Sequence, residues 1–476
     1  MNICWPRLRQ RGFRSWLAFS GTWAMDSVPA RALRREDSMQ SQAEGPASIA
    51  DSSRRHTQTP RWREPVAALI GNTLEWFDVG VYALFAATIG RVFFPSSDPN
   101  VSLMLAFGTF GTTYLIRPVG AVVLGAYADR AGRKKSMTLS LSLMAIGTLM
   151  MAAMPSYAAV GVLAPVGVVV ARLIQGFSAG GEFGSATAFL TEHAPRRMRA
   201  LFGSLQFASQ GLGTILGSLF GYYLTVSLSA SEMQAWGWRI PFLFGLLIVP
   251  AGLYVRHAVD ETPEFEQFRA GREGPQVNPF IELLRTQKTL VLIAVGSIVV
   301  STASTFIIKY MPSYAAGRLG LAESDGFVAT LLAGCILTFA TPIAGYLADR
   351  VGRIRLMTVA AAFYLIASYP LFCLLAARPS VTVLLVIVGA IAIIKVVYYA
   401  PLPSIMADIF PVTTRGTGLN LSYNVGVTAF GGFAPLISTA LIGLTGSSAA
   451  PGLYLVFVSA ISIAALAAVT FSLKLR

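Results

Sequence analysis

Apolar segments separated by short polar breaks run along most of the chain. Twelve are long enough for a helix to cross a bilayer, which takes about 17–25 residues, and they lie roughly over 66–92, 102–127, 137–155, 159–189, 201–226, 237–256, 288–315, 326–347, 356–376, 380–407, 416–442 and 452–473. The pattern predicts an all-α membrane protein of twelve transmembrane helices. Two stretches are made of different material. Residues 1–64 are rich in Arg, Ser, Gln and Pro without helical periodicity, and are expected to form a disordered basic cytoplasmic tail. Residues 257–287 mix charged and apolar positions, and read as a cytoplasmic linker with an amphipathic piece on the membrane surface. The expected organisation is a six-helix bundle over 65–256, the linker over 257–287, and a second six-helix bundle over 288–476.

Composition agrees with a lipid-embedded chain. It is 54% hydrophobic and 13% charged, more apolar surface than one soluble core can bury. The formal charge of +14 does not point to nucleic acid, because the basic residues sit in the polar breaks and the tail rather than on an aromatic-laced face. Their placement instead predicts topology. Arg130, Arg133, Lys134, Lys135, Arg196, Arg197, Arg199, Arg256, Arg269, Arg272, Arg285, Lys288, Arg350, Arg353 and Arg355 fall on one side, against mainly Arg91, Arg318 and Arg378 on the other. By the positive-inside rule both termini are expected to be cytoplasmic. Trp16–Met25 followed by Ala30-Arg31-Ala32 imitates a signal peptide, but cleavage there would invert that topology. A start at Met25 or Met39 instead of Met1 is an alternative. Cys4, Cys335 and Cys373 are scattered, which suggests neither a disulfide framework nor a metal site.

One loop sequence occurs twice. Gly125-Ala-Tyr-Ala-Asp129-Arg130-Ala-Gly132-Arg133-Lys134-Lys135 returns 220 positions later as Gly345-Tyr-Leu-Ala-Asp349-Arg350-Val-Gly352-Arg353-Ile-Arg355. Repeats of this kind build carriers with a central pathway. The glycines let helices approach, the aspartates can accept from helix N-terminal amides or neighbouring arginines, and the cations face headgroups. Gly125, Asp129, Arg130, Arg133, Gly345, Asp349, Arg350 and Arg353 are therefore expected to form a gate; the bland alternative is that the cations only set topology. The signature resembles that of the major facilitator superfamily, which implies two bundles around a substrate path.

A narrower resemblance covers most of residues 65–473. Gly71-Asn72-Thr-Leu-Glu75-Trp76-Phe77-Asp78, Tyr114-Leu-Ile-Arg117-Pro118-Val-Gly120, Arg172-Leu-Ile-Gln175-Gly176-Phe-Ser178-Ala-Gly180-Gly181-Glu182 and Trp238-Arg239-Ile-Pro241-Phe242 are similar to the metabolite/proton symporter family. Its members carry carboxylates or zwitterions with protons. Arg415-Gly416-Thr-Gly418, Tyr423-Asn424 and Phe430-Gly431-Gly432-Phe433 look most like its citrate and tricarballylate branch. The resemblance implies protons as the coupling ion, a small organic anion as substrate, no other cofactor, no nucleic-acid partner, a monomer as the working unit and residence in the bacterial inner membrane.

Charges at bilayer depth cost about 2.5–3.5 kcal/mol on insertion scales, so each is a functional candidate unless it snorkels or pairs. Glu75 and Asp78 share a helical face and are the proton-coupling candidates, since neighbouring carboxylates raise each other's proton affinity; their bland role is pairing with Arg117 or Arg172. Glu182 is either a coupling relay or a packing partner. Arg117 and Arg172, with planar forks that match carboxylates, are expected to bind substrate. Lys395, with Tyr398 on its face, lies too deep to snorkel; Lys309 is nearer an end, where snorkelling is a fair alternative. Asn420, Tyr423 and Asn424 supply donors and acceptors on one side of their span, and Asn72 joins them from the first. The extra cations of the second half favour a di- or tricarboxylate over a monocarboxylate, which would leave a buried ammonium unpaired.

Rival functions fit less well. The fifth span lacks the proline expected of multidrug antiporters, and the chain runs only a few residues past its last span, without the coiled coil of osmosensing carriers. An intramembrane enzyme would need a nucleophile and base or a metal cluster, and the three histidines, at 56, 193 and 257, lie outside the spans. Proton symport of proline, betaine or a monocarboxylate such as shikimate is the alternative, and a non-transporting sensor a remote one.

Overall fold

The computed structural model describes residues 63–131, 133–181, 187, 194–250, 283, 285–411 and 414–472. Most of the proposed tail and linker, and Glu182, therefore lie outside the described residues. Among those described, the chain is helical throughout, without a strand. In the first half come α1 (Arg63–Leu84), α2 (Ala86–Phe93), α3 (Pro99–Leu115), α4 (Arg117–Ala131), α5 (Arg133–Ala153), α6 (Leu163–Ser178), α7 (Arg199–Ser227) and α8 (Arg239–Gly245). In the second half come α9 (Lys288–Leu319), α10 (Glu323–Val351), α11 (Arg353–Ala377), α12 (Val381–Ile409), α13 (Arg415–Thr445) and α14 (Ala450–Ser472).

All six helices of the second half are long and apolar enough to cross a membrane, and Leu69–Leu84 of α1 with α2 meets the same condition as a pair bent by 63°. Only helices satisfy their own backbone groups in hydrocarbon, so long apolar runs fold this way whatever packs beside them. The first half departs from that simple pattern. α7 has 29 residues but carries Ser, Gln, Thr and Gly along its length, because it spends its surface on helix contacts instead of lipid. α3 and α4 are two pieces of one path, broken at Ile116. The break follows from Pro118, which cannot donate to the Tyr114 carbonyl four residues back. Thr428 of α13 supplies the missing donor at 2.7 Å, so a proline in the first half is completed by a hydroxyl from the second.

The halves meet along antiparallel α7 and α10. A Cβ on Gly211 would lie 2.6 Å from Thr338 Oγ1, and one on Gly345 would lie 2.9 Å from the Ala200 carbonyl, so glycine is what allows the close approach at these crossings. The halves touch at both ends. At the signature-loop end α7 begins against the end of α10. At the other end Phe85 packs on Phe327 at 5.4 Å, Arg91 faces Glu323 at 3.9 Å, and Arg318 donates to Asn100 at 2.7 Å. The buried charges lie between these two sets of contacts.

Candidate functional site

Four helices of the first half assemble a polar chain in an apolar interior. Asp78 on α1 is buried, and its carboxylate accepts from Thr148 of α5 at 3.0 Å and from Gln175 Nε2 of α6 at 2.6 Å. Gln175 turns its amide oxygen the other way, accepting from Arg172 Nη1 at 2.8 Å. Arg172 also donates Nε to Thr113 of α3 at 3.1 Å. Arg172 and Asp78 are thus joined through one amide. The local sequence makes this possible: Arg172 and Gln175 are three apart on α6 and share a face. Gly147 leaves room for the amide, since a Cβ there would stand 2.5 Å from Gln175 Cγ.

Glu75 belongs to a different set. Although it sits one turn before Asp78, it faces Arg117 at 4.0 Å, while Asp78 is held by α5 and α6. The two carboxylates therefore have separate partners and do not form the mutually repelling pair their spacing suggests. Arg117 lies over the Tyr114 ring at 4.6 Å and the Trp76 ring at 6.0 Å.

Lys309 enters from α9. It does not snorkel: it is 1% exposed, with its ammonium 5.2 Å from the centre of Trp76 and 5.8 Å from that of Phe306. Gly80 of α1 makes room for it, since a Cβ there would lie 2.9 Å from Nζ. Arg172 in turn stacks on Tyr82 at 4.5 Å and Phe110 at 5.6 Å. Phe110, Tyr114 and Phe306 pack edge to face at 5.3–5.5 Å. Three cations from α4, α6 and α9 thus border one aromatic cluster. Arg117 Nε and Nη2, Arg172 Nη2 and Lys309 Nζ make no hydrogen bond among the described residues. Ring faces compensate a cation by about 0.5–2 kcal/mol, well short of a hydrogen-bonded anion.

Other residues expected to bind substrate are engaged in holding helices together. Lys395 Nζ donates to the Ser301 carbonyl at 2.9 Å and Thr305 at 2.6 Å, and sits 3.8 Å from the Tyr399 ring centre, which ties α12 to α9. Tyr398 donates to the Ser297 carbonyl at 2.5 Å. Asn72 donates to the Gln206 carbonyl at 3.0 Å and Ser209 at 2.6 Å, fastening α1 to α7. Asn424 donates to the carbonyls of Gly180 and Asn420, at 2.8 and 2.9 Å. Tyr423 is buried close by on α13, and Asn420 is partly exposed. Gln175, Thr148 and Thr113 escaped the sequence reading, since neutral polar residues in a helix carry no charge penalty that marks them out. Gln175 was nonetheless visible as the residue three after Arg172.

The signature end holds a charge network. Asp349 accepts from the backbone amides of Ala200 (3.0 Å) and Leu201 (3.0 Å), capping the first turn of α7. Arg353 reaches Asp349 at 3.2 Å and Asp408 at 3.0 Å, and Arg199 faces Asp408 at 3.4 Å. Asp408 and Arg199 complete the set and were not among the expected gate residues. Arg350, which was, instead lies over Tyr346 at 4.3 Å. Gly352, at φ +112°, turns the chain sharply between α10 and α11, a conformation that disfavours any side chain. For the first copy, Gly125, Asp129 and Arg130 fall in α4 and Arg133 opens α5, with their side chains outside the description.

Residues 68–394 match the family model described as Major Facilitator Superfamily. A citrate-proton symporter of Klebsiella pneumoniae is 37% identical over 387 residues, 81% of this chain and 87% of the relative. A proline/betaine transporter of Escherichia coli K12 is 31% identical over 409 residues, covering 83% and 81%. Among solved structures, a partially occluded, inward-open xylose transporter of E. coli superposes with a TM-score of 0.68 at 17% identity, covering 86% of this chain and 96% of the other.

Proposed function

The chain belongs to the major facilitator superfamily, and on that footing we propose that it is a proton-coupled symporter of an organic di- or tricarboxylate of the citrate type, working by alternating access. It is a multi-pass protein of the bacterial inner membrane. In this reading twelve helices form two bundles of six, and both termini are cytoplasmic, as the placement of the basic residues favours.

The observation that carries the proposal is a charge imbalance. Among the described residues the buried charged groups are Arg117, Arg172, Lys309 and Lys395 against Glu75 and Asp78. A substrate with two or three carboxylates restores balance, whereas a zwitterion leaves the excess in place. The unsatisfied donors of Arg117, Arg172 and Lys309 give that anion its contacts, with the aromatic cluster packing its carbon skeleton. Citrate-proton symporters at 35–37% identity support the same class; the proline/betaine transporter at 31% keeps osmolyte symport as the second reading.

In the cycle the anion enters between the cations, Asp78 takes the proton, and the loaded carrier exchanges closure at one end for closure at the other. The Asp349, Arg353, Asp408 and Arg199 network would break when the signature end opens. Each unit of charge moved across the membrane is worth about 2.3 kcal/mol per 100 mV, so an anion accumulates inward only if protons accompany it. The test is a thermal-shift screen of the purified carrier with citrate, tricarballylate, oxoglutarate, succinate, shikimate, proline and betaine, followed by uptake into proteoliposomes under a pH gradient. Stabilisation and uptake with proline or betaine, and none with a di- or tricarboxylate, would refute the assignment.

A further inference from the structure

Symport requires the two ligands to sense each other, and among the described residues a single side chain links the groups that would hold them. The Gln175 side chain is buried completely, with its two amide ends committed to different charges. Its oxygen accepts from Arg172 at 2.8 Å, and its nitrogen donates to Asp78 at 2.6 Å and lies 3.1 Å from Thr148 Oγ1. The orientation is chemically forced, because a guanidinium only donates and a carboxylate only accepts. Arg172 keeps Nη2 unsatisfied among the described residues, on the one cation whose other nitrogens are already engaged by Thr113 and Gln175.

We propose that Gln175 is the positioning residue that couples the two ligands: it transmits the arrival of a substrate carboxylate at Arg172 to the Asp78 carboxylate, and the binding of a proton at Asp78 back to Arg172. This rests on the reading above, in which Arg172 meets the substrate and Asp78 the proton. A carboxylate that engages Nη2 competes for the guanidinium and neutralises its charge. The pull on the amide oxygen weakens, and with it the alignment that aims Nε2 at Asp78. Donors to a carboxylate favour its ionised form, so a loosened amide favours the proton.

Thr148 is built to follow. Its hydroxyl has one proton and two acceptors, Asp78 Oδ1 at 3.0 Å and the Met144 carbonyl at 2.9 Å. With Asp78 ionised the proton points to the carboxylate; with Asp78 protonated it turns to Met144, and Thr148 Oγ1 can accept from the acid. Nothing heavier than a hydrogen has to move. The other groups around this spot are accounted for. Gly245, the last residue of α8, brings only backbone within reach, since a Cβ there would lie 3.1 Å from Asp78 Oδ1. On α1 itself Glu75 faces Arg117 and Tyr82 carries the Arg172 ring contact, while Lys309 of α9 is set against Gly80 and Trp76. By reciprocity, whatever factor the proton contributes to substrate affinity, the substrate contributes to proton binding.

The experiment titrates citrate into the detergent-purified full chain across a pH series in weak buffer, recording affinity and protons taken up with a soluble indicator. Asp78→Asn sets the baseline for protons not carried by Asp78. Gln175→Met keeps the length of the side chain and removes both hydrogen bonds. The expected result is that it still binds citrate at acid pH, with a smaller gain in affinity from alkaline to acid pH than the wild type shows, and with the midpoint of the profile displaced upward by about one to two pH units, the equivalent of one charge-assisted hydrogen bond. Fewer protons are then taken up at neutral pH, because Asp78 already holds one. Gln175→Glu keeps an acceptor for Arg172 and preserves the shape should the methionine variant fail to fold. It sets a second carboxyl against Asp78, so its profile also moves upward. A glutamine that only donates to Asp78 would move the midpoint but leave the factor by which acid tightens citrate binding as large as in the wild type, and that outcome also overturns the coupling role. A profile in either folded variant that superimposes on the wild type, while Asp78→Asn is flat, overturns the coupling role alone. Failure of the wild type to bind citrate or any other di- or tricarboxylate overturns the carboxylate reading and this inference with it.

Discussion

Replacing Lys309 by methionine keeps the length of the side chain and deletes its charge. Lys309 is 1% exposed, and its ammonium makes no hydrogen bond among the described residues, only ring contacts at 5.2 and 5.8 Å. Burying an ion costs several kcal/mol, against which two ring faces at these distances return about 0.5–2 kcal/mol each at best. The empty carrier should therefore be as stable in Lys309→Met as in the wild type, or more so. Substrate binding should suffer, because a charge-assisted contact worth about 1.5–3 kcal/mol is lost, a weakening of roughly 10- to 150-fold. Lys395→Met is the contrast. Its ammonium holds Ser301 and Thr305 at 2.9 and 2.6 Å, so deleting it should lower the melting temperature of the empty protein. The assay is thermal shift with and without citrate, backed by calorimetric titration. Equal destabilisation by both variants, together with unchanged anion binding in Lys309→Met, would refute the distinction between a waiting cation and a structural one.

Four further outcomes are expected. Asp78→Asn should abolish uphill uptake driven by a pH gradient yet retain counterflow on the same proteoliposomes, since an amide imitates a carboxyl that never releases its proton; undiminished accumulation would shift the role to Glu75 or Glu182. Arg117→Lys should weaken anion binding despite the kept charge, because the planar fork is lost; calorimetric titration against the wild type measures this. Asp349→Ala removes the cap on the first turn of α7, worth about 0.5–2 kcal/mol, and should speed labelling of a thiol introduced by Ser204→Cys as the signature end opens more often. Gly176→Ala would press a Cβ to 1.9 Å from the Thr113 carbonyl, and should reduce the yield of monodisperse protein on size-exclusion chromatography.

The sequence by itself determined where helices form and which residues could matter chemically. Span positions follow from hydropathy, because in lipid each helix must satisfy its own backbone and so needs no information from its neighbours. The boundaries expected around 288, 326, 356, 380, 416 and 452 fall within a few residues of the starts of α9 to α14. The repeated loop likewise announced Asp349 and Arg353 as partners near a helix start, since they stand four positions apart across the Gly352 turn and their contact is local. What the sequence could not rank was the set of buried charges. Lys309 and Lys395 look alike on apolar helices, yet only the fold shows that Lys395 is met by Ser301, 94 positions away, and that Lys309 is met by aromatic rings. Glu75 and Asp78 share a face by periodicity, but their partners come from different helices, and Gln175, 97 positions from Asp78, is invisible as a link until α1 and α6 lie side by side. Whether a buried polar atom is satisfied depends on donors and acceptors contributed from far along the chain, and so only tertiary packing decides which cations are hydrogen-bonded into the fold and which meet only aromatic rings.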